Sequence, residues 1–327
     1  MDALGARVPM KCVAAVDVGA SKIRVALFDG SRMLRRLESS FPSEGGAGAP
    51  AATIVRMART LLGEGGCSYL EGVGVASIGP LDPRGGEVRG APNAPIKDFP
   101  LRRPLEEAFG VPVIVANDCN AGAWAEYVWG KGSDSRSMAY IAVGTGIGGG
   151  VVIGGKLLVG PRGLAAEVGH IVVDVDSVLR CGCGARGHWE ALAGGAAVPR
   201  LARIAASRWE GPRTEAYTEA LEGGLTPERL YSAAREGDAF ALHLVDALAR
   251  IHAAGIASVA AAYDAERVFL GGGALLGGWD LLEEPIRRYL EDYSLPQLGV
   301  RVERASFGVD QQLYGAAALV YKPPETL

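Results

Sequence analysis

Residues 13–28 have the sequence VAAVDVGASKIRVALF, in which two apolar runs flank a short turn containing Gly19. Two apolar runs joined by a glycine turn predict a β-hairpin. The same layout returns in MAYIAVGTGIGGGVVI, residues 138–153, where Gly144 to Gly150 supply the turn. Two copies of a strand, a hydroxyl-bearing glycine turn and a second strand predict an internal duplication in which each copy opens its own domain.

Other segments alternate between strand and helix patterns. The predicted strands are Val73–Ile78, Val113–Ala116, Ile171–Val173 and Val268–Leu270, and the predicted helices are Ala121–Val128 and the amphipathic run Asp238–Ala262. This alternation predicts an α/β fold in which helices flank the sheets. We place a small amino-terminal domain at residues 1–117, with a last helix at 311–327 returning to it, and a large domain at 118–310. The Pro-rich and Gly-rich segments Pro42–Pro50 and Pro80–Pro95 are predicted to be surface loops.

Composition excludes several functional classes. The 327 residues are 49% hydrophobic and 21% charged, with a net charge of -4, so no basic excess indicates nucleic acid. Gly or charged residues interrupt the apolar stretches, and Met1–Lys11 lacks the pattern of a signal peptide. Five cysteines are an odd number, which argues against a disulfide framework and favours a reducing compartment. The chain is therefore predicted to be cytoplasmic, without a nucleic-acid or membrane partner.

Both glycine turns are candidates for binding phosphate. A phosphate needs converging backbone N–H donors, and glycine lets the chain approach closely. Gly144, Thr145 and Gly146 offer such a turn, with a hydroxyl donor on Thr145. In the first copy, Asp17 would hold Mg²⁺ through water, while the turn of Gly19, Ala20, Ser21 and Lys22 approaches the phosphates. The alternative is that both are plain hairpins, and neither has the Walker pattern.

A third glycine segment follows a predicted strand. Gly271, Gly272 and Gly273 would let adenosine lie against the turn, although a simple strand-to-helix turn explains them equally well.

Asn117 and Asp118 follow a predicted strand and begin a helix. In open α/β sheets, ligands bind at the ends of the strands. Asp118 could accept a proton from a sugar hydroxyl, but Asn and Asp are also the preferred helix caps. Only three asparagines occur, and Asn93 and Asn117 fall in loops expected to face one cleft, where paired donors and acceptors suit sugar hydroxyls. Glu167 and His170 add an acceptor and an imidazole, and we also assign Gly79 to the sugar site. Alone, Glu167 would more often be an exposed loop charge.

The segment CGCGARGHWE, residues 181–190, is the most unusual one. Cys181, Cys183 and His188, with His170 upstream, predict a tetrahedral Cys₂His₂ zinc site with no open position, hence a structural one. Zinc would hold the loop that aims His170 and Glu190 at substrate. The alternative is a pair of free thiols in a glycine loop.

Taken in order, these motifs resemble the ROK sugar kinases (repressor, open reading frame, kinase) over nearly the whole chain. Asp17 to Ser21 and Gly144 to Gly148 look like the family's two phosphate motifs, and Asn117-Asp118 is similar to its sugar-binding Asn and catalytic Asp. The segment from Glu167 to Glu190 looks like its sugar and zinc signature, except that His188 stands where the family usually has a third Cys. The resemblance implies a two-domain actin-like ATPase (ribonuclease H-like) fold with an interdomain cleft.

The implied activity is transfer of the γ-phosphoryl group of Mg·ATP to the 6-hydroxyl of glucose or a related hexose, with Asp118 as base. Fructose, mannose and N-acetylated amino sugars are alternative substrates, and a homodimer is an open option. Two other classes compete with a kinase. A non-catalytic sugar sensor would need no Asp118, and an actin-like ATPase acting on a protein or carboxylate would need no zinc-braced Glu190 loop. The short segment before Asp17 disfavours a repressor with a DNA-binding helix-turn-helix.

Overall fold

The computed structural model describes residues 11–64, 67, 69–82 and 84–327. Packing divides the chain into two compact units. The first unit contains residues 1–134, 155–165 and 310–327, and the second contains residues 135–154 and 166–309. The segment predicted to carry no signal peptide lies almost entirely outside the described residues.

The regular elements follow one another as strands and helices. The strands are β1 (Lys11–Val18), β2 (Lys22–Asp29), β3 (Arg32–Ser40), β4 (Tyr69–Ser77), β5 (Leu81–Asp82), β6 (Glu87–Val88), β7 (Phe99–Pro100), β8 (Val113–Asn117), β9 (Ser137–Val143), β10 (Ile147–Ile153), β11 (Lys156–Leu157), β12 (Arg267–Gly271) and β13 (Arg301–Arg304). The α-helices are α1 (Ala49–Gly63), α2 (Arg102–Phe109), α3 (Asp118–Val128), α4 (Trp189–Ala193), α5 (Val198–Ser207), α6 (Glu215–Glu222), α7 (Pro227–Arg235), α8 (Ala239–Tyr263), α9 (Gly273–Leu276), α10 (Trp279–Tyr293) and α11 (Gln311–Tyr321).

The first unit is built on a five-stranded mixed sheet of order β3-β2-β1-β4-β8. β1 pairs antiparallel with β2 and parallel with β4, so the predicted hairpin is confirmed. β1 is buried from Cys12 to Val18, because a central strand needs apolar side chains on both faces. α11 crosses β4 so closely that a Cβ at Gly74 would lie 1.8 Å from the carbonyl oxygen of Ala316. Gly74 is therefore required by the approach of α11, which belongs to this unit by its packing.

The second unit contains a mixed sheet in which β10, β9, β12 and β13 are neighbours in that order. β9 and β10 form the second predicted hairpin, and β12 runs parallel to both β9 and β13. Together the two units confirm an α/β fold of mixed sheets and helices. The predicted domain boundary near Asn117 stays a prediction; α3 packs on α11 and lies in the first unit.

α8 is the long helix of the second unit and begins where the sequence predicts. The side chain of Asp238 caps it by accepting a hydrogen bond from the Ala241 N–H at 3.0 Å. By length and composition alone, α8 is long and apolar enough to cross a membrane. However, 61% of its most apolar window is buried inside the protein, as in the core helix of a globular domain.

Three sequence expectations need correction. Ile171–Val173 is not a strand, because only Val172 forms a bridge, with His188. The segment Pro80–Pro95 is not only loop, because β5 and β6 pair within it and β7 completes a small sheet. Cys12 and Cys67 form a disulfide, whereas the odd cysteine count favoured free thiols.

Candidate active site

In the first unit, Asn117 and Asp118 lie where β8 ends and α3 begins. The Oδ1 atom of Asn117 accepts hydrogen bonds from the N–H groups of Cys119 at 2.9 Å and Asn120 at 3.3 Å. The helix-cap interpretation is therefore right for this oxygen. The side-chain nitrogen of Asn117, Nδ2, is the atom that faces Gly79, since a Cβ built at Gly79 would lie 3.8 Å from it. The structure thus brings Gly79 and Asn117 together.

Asp118 is half-buried in the first turn of α3. Its Oδ1 accepts a hydrogen bond from the Cys119 N–H at 2.8 Å. This bond orients the carboxylate at the helix start. Asn93 is exposed in the loop between β6 and β7.

Asp17 is the penultimate residue of β1 and is 8% exposed. Arg24 lies opposite it on β2 and donates to Oδ2 from Nε at 2.8 Å and from Nη2 at 2.7 Å. Burial raises the pKa of Asp17, and the guanidinium of Arg24 opposes that rise. Both of these contacts engage Oδ2 of Asp17. A carboxylate oxygen fits the ligand preference of Mg²⁺.

The first glycine turn is tight and largely exposed at Ser21 and Lys22. The Gly19 N–H donates to the carbonyl oxygen of Lys22 at 2.9 Å. The Lys22 ammonium pairs with Glu38 at 2.5 Å, and both side chains are at least half exposed. An exposed pair of this kind is weak, so Lys22 can exchange Glu38 for a phosphate at little cost.

The second glycine turn lies in the second unit and contacts two other glycine segments. The Gly144 carbonyl accepts from the Gly195 N–H at 2.8 Å, and the Thr145 carbonyl accepts from the Ala196 N–H at 3.0 Å. Gly272 has φ +90°, and a Cβ there would lie 2.3 Å from the carbonyl oxygen of Val143. The turn at residues 144–146 and the turn at 271–273 are therefore neighbours, as one nucleotide site requires. Sequence reasoning missed Gly194 and Gly195, whose only signal is a Gly-Gly pair after a short helix.

Glu190 lies in the first turn of α4 and binds the same glycine turn. Its Oε2 accepts from the Ile147 N–H at 2.9 Å, and a Cβ at Gly146 would lie 2.2 Å from this oxygen. Its Oε1 lies 3.4 Å from Cys181 Sγ. The carboxylate is thus held between the glycine turn and the cysteine segment.

Glu167 directly precedes the 3₁₀ turn Val168–His170, whose last residue is His170, and this turn packs on β10. Gly169 is required there, because a Cβ would lie 2.1 Å from the Ile147 carbonyl oxygen. The Nε2 of His170 is 3.9 Å from Glu167 Oε2. Desolvation raises the pKa of Glu167, while His170 lowers it. His170 therefore presents Nε2 on the side of Glu167 and keeps Nδ1 for other partners.

Those other partners form the predicted metal cluster. The ligand atoms of His170, Cys181, Cys183 and His188 all lie within 4.8 Å of one another. His170 Nδ1 is 3.2 Å from His188 Nδ1 and 3.7 Å from Cys181 Sγ, and Cys183 Sγ is 3.4 Å from His188 Nδ1. A tetrahedral zinc with ordinary bond lengths separates two nitrogen ligands by about 3.3 Å and a nitrogen from a sulfur by about 3.6 Å. These distances fit a zinc ion.

Electrostatics at the cluster agree with this fit. Burial lowers the pKa of His188, with His170 adding to the effect, which favours the neutral imidazole that ligates metals. Burial raises the pKa of the Cys181 thiol to about 11, so a thiolate there needs a cation beside it. A neutral His188 and a Cys181 thiolate with a cation beside it are the states that a metal ion would require of these two residues.

Comparisons with known proteins agree with the motif order. Residues 13–322 match the ROK family. The glucokinase of Aeropyrum pernix is 42% identical over 322 residues, which cover 96% of this chain and 98% of that protein. The ROK hexokinase of Thermus thermophilus superposes with a TM-score of 0.79 at 38% identity, covering 95% of this chain and 98% of that one. A Streptomyces griseus ROK glucokinase, solved with glucose and AMPPNP, gives a TM-score of 0.76 at 33% identity, covering 94% and 98% of the two chains.

Proposed function

The chain belongs to the ROK family, and from that premise we propose that it is an ATP-dependent glucokinase. The observation that carries the proposal is the likeness to curated glucokinases along nearly the full length of both chains. The solved relative that holds glucose and an ATP analogue supports the same substrates. The reaction is transfer of a phosphoryl group to an alcohol. Its product, a hexose 6-phosphate, would enter glycolysis.

In the proposed reaction, the sugar 6-hydroxyl attacks the γ-phosphorus of ATP in line. The new P–O bond forms as the bond to the bridging oxygen breaks, and ADP leaves with those electrons. Asp118 accepts the hydroxyl proton. Its position in the first turn of α3, fixed by the Cys119 N–H, supports this role because a base must be placed before its pKa matters.

The phosphates are assigned to the backbone amides of the two glycine turns. Thr145 and Ser21 add hydroxyl donors, and Lys22 adds a positive charge. Mg²⁺, when bound, would neutralise charge on the phosphate oxygens, with Asp17 holding its hydration water. The adenosine is assigned to residues 271–273, next to the second turn.

The sugar is assigned to the remaining polar groups. The Asn117 amide nitrogen and Gly79 form one part of the sugar site in the first unit, with Asn93 as a further contact. In the second unit, the ring hydroxyls would exchange hydrogen bonds with three groups: the carboxylates of Glu167 and Glu190, and the Nε2 of His170. Paired donors and acceptors of this kind distinguish one hexose from another.

Asp118→Asn tests the assignment of the base. The substitution keeps the shape of the side chain but accepts no proton, so turnover should fall about 10²–10⁴-fold while glucose still binds. A coupled assay for ADP and a glucose titration measure the two quantities. Near-normal turnover would remove Asp118 from the mechanism. A wild-type protein that binds glucose but consumes no ATP would be a sugar sensor, and a panel of glucose, mannose, fructose and N-acetylated amino sugars defines the substrate.

We assign Zn²⁺ to the four-residue cluster as a structural ion. Purified protein should contain about one zinc per chain by elemental analysis, and Cys183→Ser should lose it. A full zinc complement in Cys183→Ser would exclude Cys183 as a ligand. We also propose a cytoplasmic homodimer. Light scattering tests the dimer, and cell fractionation tests the location.

A further inference from the structure

His252 is a buried titratable group to which the proposed mechanism gives no role. It lies in α8 and is 1% exposed. Its Nδ1 is 3.2 Å from the indole Nε1 of Trp189, which can only donate a hydrogen bond. Burial lowers the pKa of His252 to about 4, so the imidazole is neutral at pH 7 and its proton is on Nε2. His252 is therefore a fixed acceptor for Trp189.

Trp189 is fully buried and occupies a slot in α8. Gly255 forms the floor of that slot, because a Cβ there would lie 2.3 Å from the indole ring. His252 lies across one end, with the two ring centroids 6.0 Å apart at an interplanar angle of 66°. A buried indole N–H without an acceptor is costly. The slot and the hydrogen bond together select one orientation of the indole.

This orientation matters because Trp189 begins α4 and Glu190 follows it directly. α4 has only five residues, and its cap residue makes no side-chain capping bond. A helix this short is not stable on its own, so packing must set its direction. Trp189 is the largest fully buried side chain of that helix.

We propose that His252 is a positioning residue for the sugar site and acts through Trp189 on Glu190. The indole bond holds α4 in the orientation in which Glu190 Oε2 meets the Ile147 N–H and the carboxylate can bind a sugar hydroxyl. This inference rests on the proposed function, since it takes Glu190 as a sugar ligand. His252 itself contacts neither sugar nor nucleotide.

Three variants separate this role from simple core packing. His252→Leu fills similar space but removes the acceptor. His252→Asn restores an acceptor oxygen near the position of Nδ1. Trp189→Phe keeps an aromatic ring and removes the donor. His243→Leu is the matched control, because His243 is also on α8 and also lies against a tryptophan. It is exposed, and its ring centroid is 4.9 Å from that of Trp209, which is not part of α4, at an interplanar angle of 38°.

The measurements are the glucose KM, the ATP KM, kcat and zinc content of each purified variant. His252→Leu and Trp189→Phe should each raise the glucose KM about tenfold, which corresponds to about 1.4 kcal/mol. The ATP KM and the zinc content should stay near the wild-type values. The double variant with His252→Leu and Trp189→Phe should have a glucose KM close to that of either single variant, because each substitution breaks the same hydrogen bond. His252→Asn should recover most of the wild-type glucose KM, and His243→Leu should not change it.

Failure of this inference differs from failure of the proposed function. A wild-type protein that does not phosphorylate glucose overturns the glucokinase assignment and this inference with it. An active wild type whose glucose KM is unchanged in His252→Leu and Trp189→Phe overturns the positioning role alone. Loss of zinc in parallel with the KM change would attribute the effect to His188 and likewise overturn it. If His252→Leu does not fold, the glucose KM of Trp189→Phe and of His252→Asn, each compared with wild type, tests the positioning role.

Discussion

Gly146→Ala should weaken glucose binding, because it moves the Glu190 carboxylate away from the second glycine turn. A Cβ at this position would lie 2.2 Å from Glu190 Oε2 and 2.9 Å from Glu190 Cδ. These atoms are the far end of a flexible side chain, so the carboxylate can move away without shifting the backbone. Its hydrogen bond with the Ile147 N–H at 2.9 Å would then be lost.

The expected loss of glucose affinity follows from the strength of that hydrogen bond. A hydrogen bond to a charged acceptor contributes about 1.5–3 kcal/mol, and losing the oriented carboxylate should cost glucose binding a similar amount. The dissociation constant for glucose should therefore rise about 10-fold to 150-fold. The free energy of unfolding should fall as well, because the same bond contributes about 1.5–3 kcal/mol to stability. Alanine in place of glycine restores only about 0.4–1 kcal/mol of this loss, through the unfolded chain.

Gly144→Ala is the matched variant, because a Cβ at Gly144 meets no atom within 4 Å. Glucose titration by calorimetry without ATP, together with the thermal unfolding midpoint, measures both effects for the two variants. Gly146→Ala should weaken glucose binding and lower the midpoint, and Gly144→Ala should leave both near the wild-type values. A glucose affinity within twofold of wild type in Gly146→Ala would refute the role assigned to the bond between Glu190 and the turn.

Two further predictions concern the first unit. Cys12→Ala should lower the free energy of unfolding by about 4 kcal/mol, because the disulfide to Cys67 closes a loop with a sequence separation of 55 residues. Denaturant unfolding with and without dithiothreitol measures this loss of stability, and an unchanged unfolding midpoint would contradict the prediction. Arg24→Met should cost about 3–5 kcal/mol at pH 7, because it leaves the Asp17 carboxylate buried without its cation. Burial raises the folded pKa of Asp17 above its unfolded value, so the contribution of this group to stability is greatest at low pH and falls as pH rises through the folded pKa. Because Arg24 opposes that rise, Arg24→Met should lose stability more steeply than wild type as pH rises above the ordinary range of an aspartate. Adding Asp17→Asn should abolish that difference.

The sequence predicts those parts of the fold that depend on local pattern. Both hairpins and the strands β4, β8 and β12 follow from apolar runs beside glycine or polar turns, and α8 follows from its helical period. Ile171–Val173 has the composition of a strand but lacks a partner strand, and Val172 is 50% exposed. A strand needs a neighbour as well as β-branched side chains, which composition does not reveal.

The site shows the same division. The motif order nominates the groups of the candidate site, but their partners come from tertiary contacts. The bond of Glu190 to the Ile147 N–H, the bond of Trp189 to His252 and the disulfide of Cys12 with Cys67 join residues 43, 63 and 55 positions apart. The pair of Asp17 and Arg24 is different, because the two residues face each other in the β1–β2 register. Counting outward from the short turn would have placed them opposite each other, so this pair could have been found from the sequence.

The second glycine turn is a candidate phosphate site and also a bonding partner of Glu190, and each role constrains the other. Its amides are the candidates for phosphate binding, yet the next amide, that of Ile147, is already bonded to Glu190. The Gly144 and Thr145 carbonyls are bonded to residues 195 and 196, which follow α4. α4 is therefore tied to the turn at both of its ends, through Glu190 at the start and through residues 195–196 after it. Any movement of the turn must displace the Glu190 carboxylate or break one of these bonds, so we expect the turn and this carboxylate to behave as one rigid element. Glucose affinity measured with and without a non-hydrolysable ATP analogue should then differ in wild type, and that difference should shrink in Gly146→Ala, where the bond between Glu190 and the turn is lost.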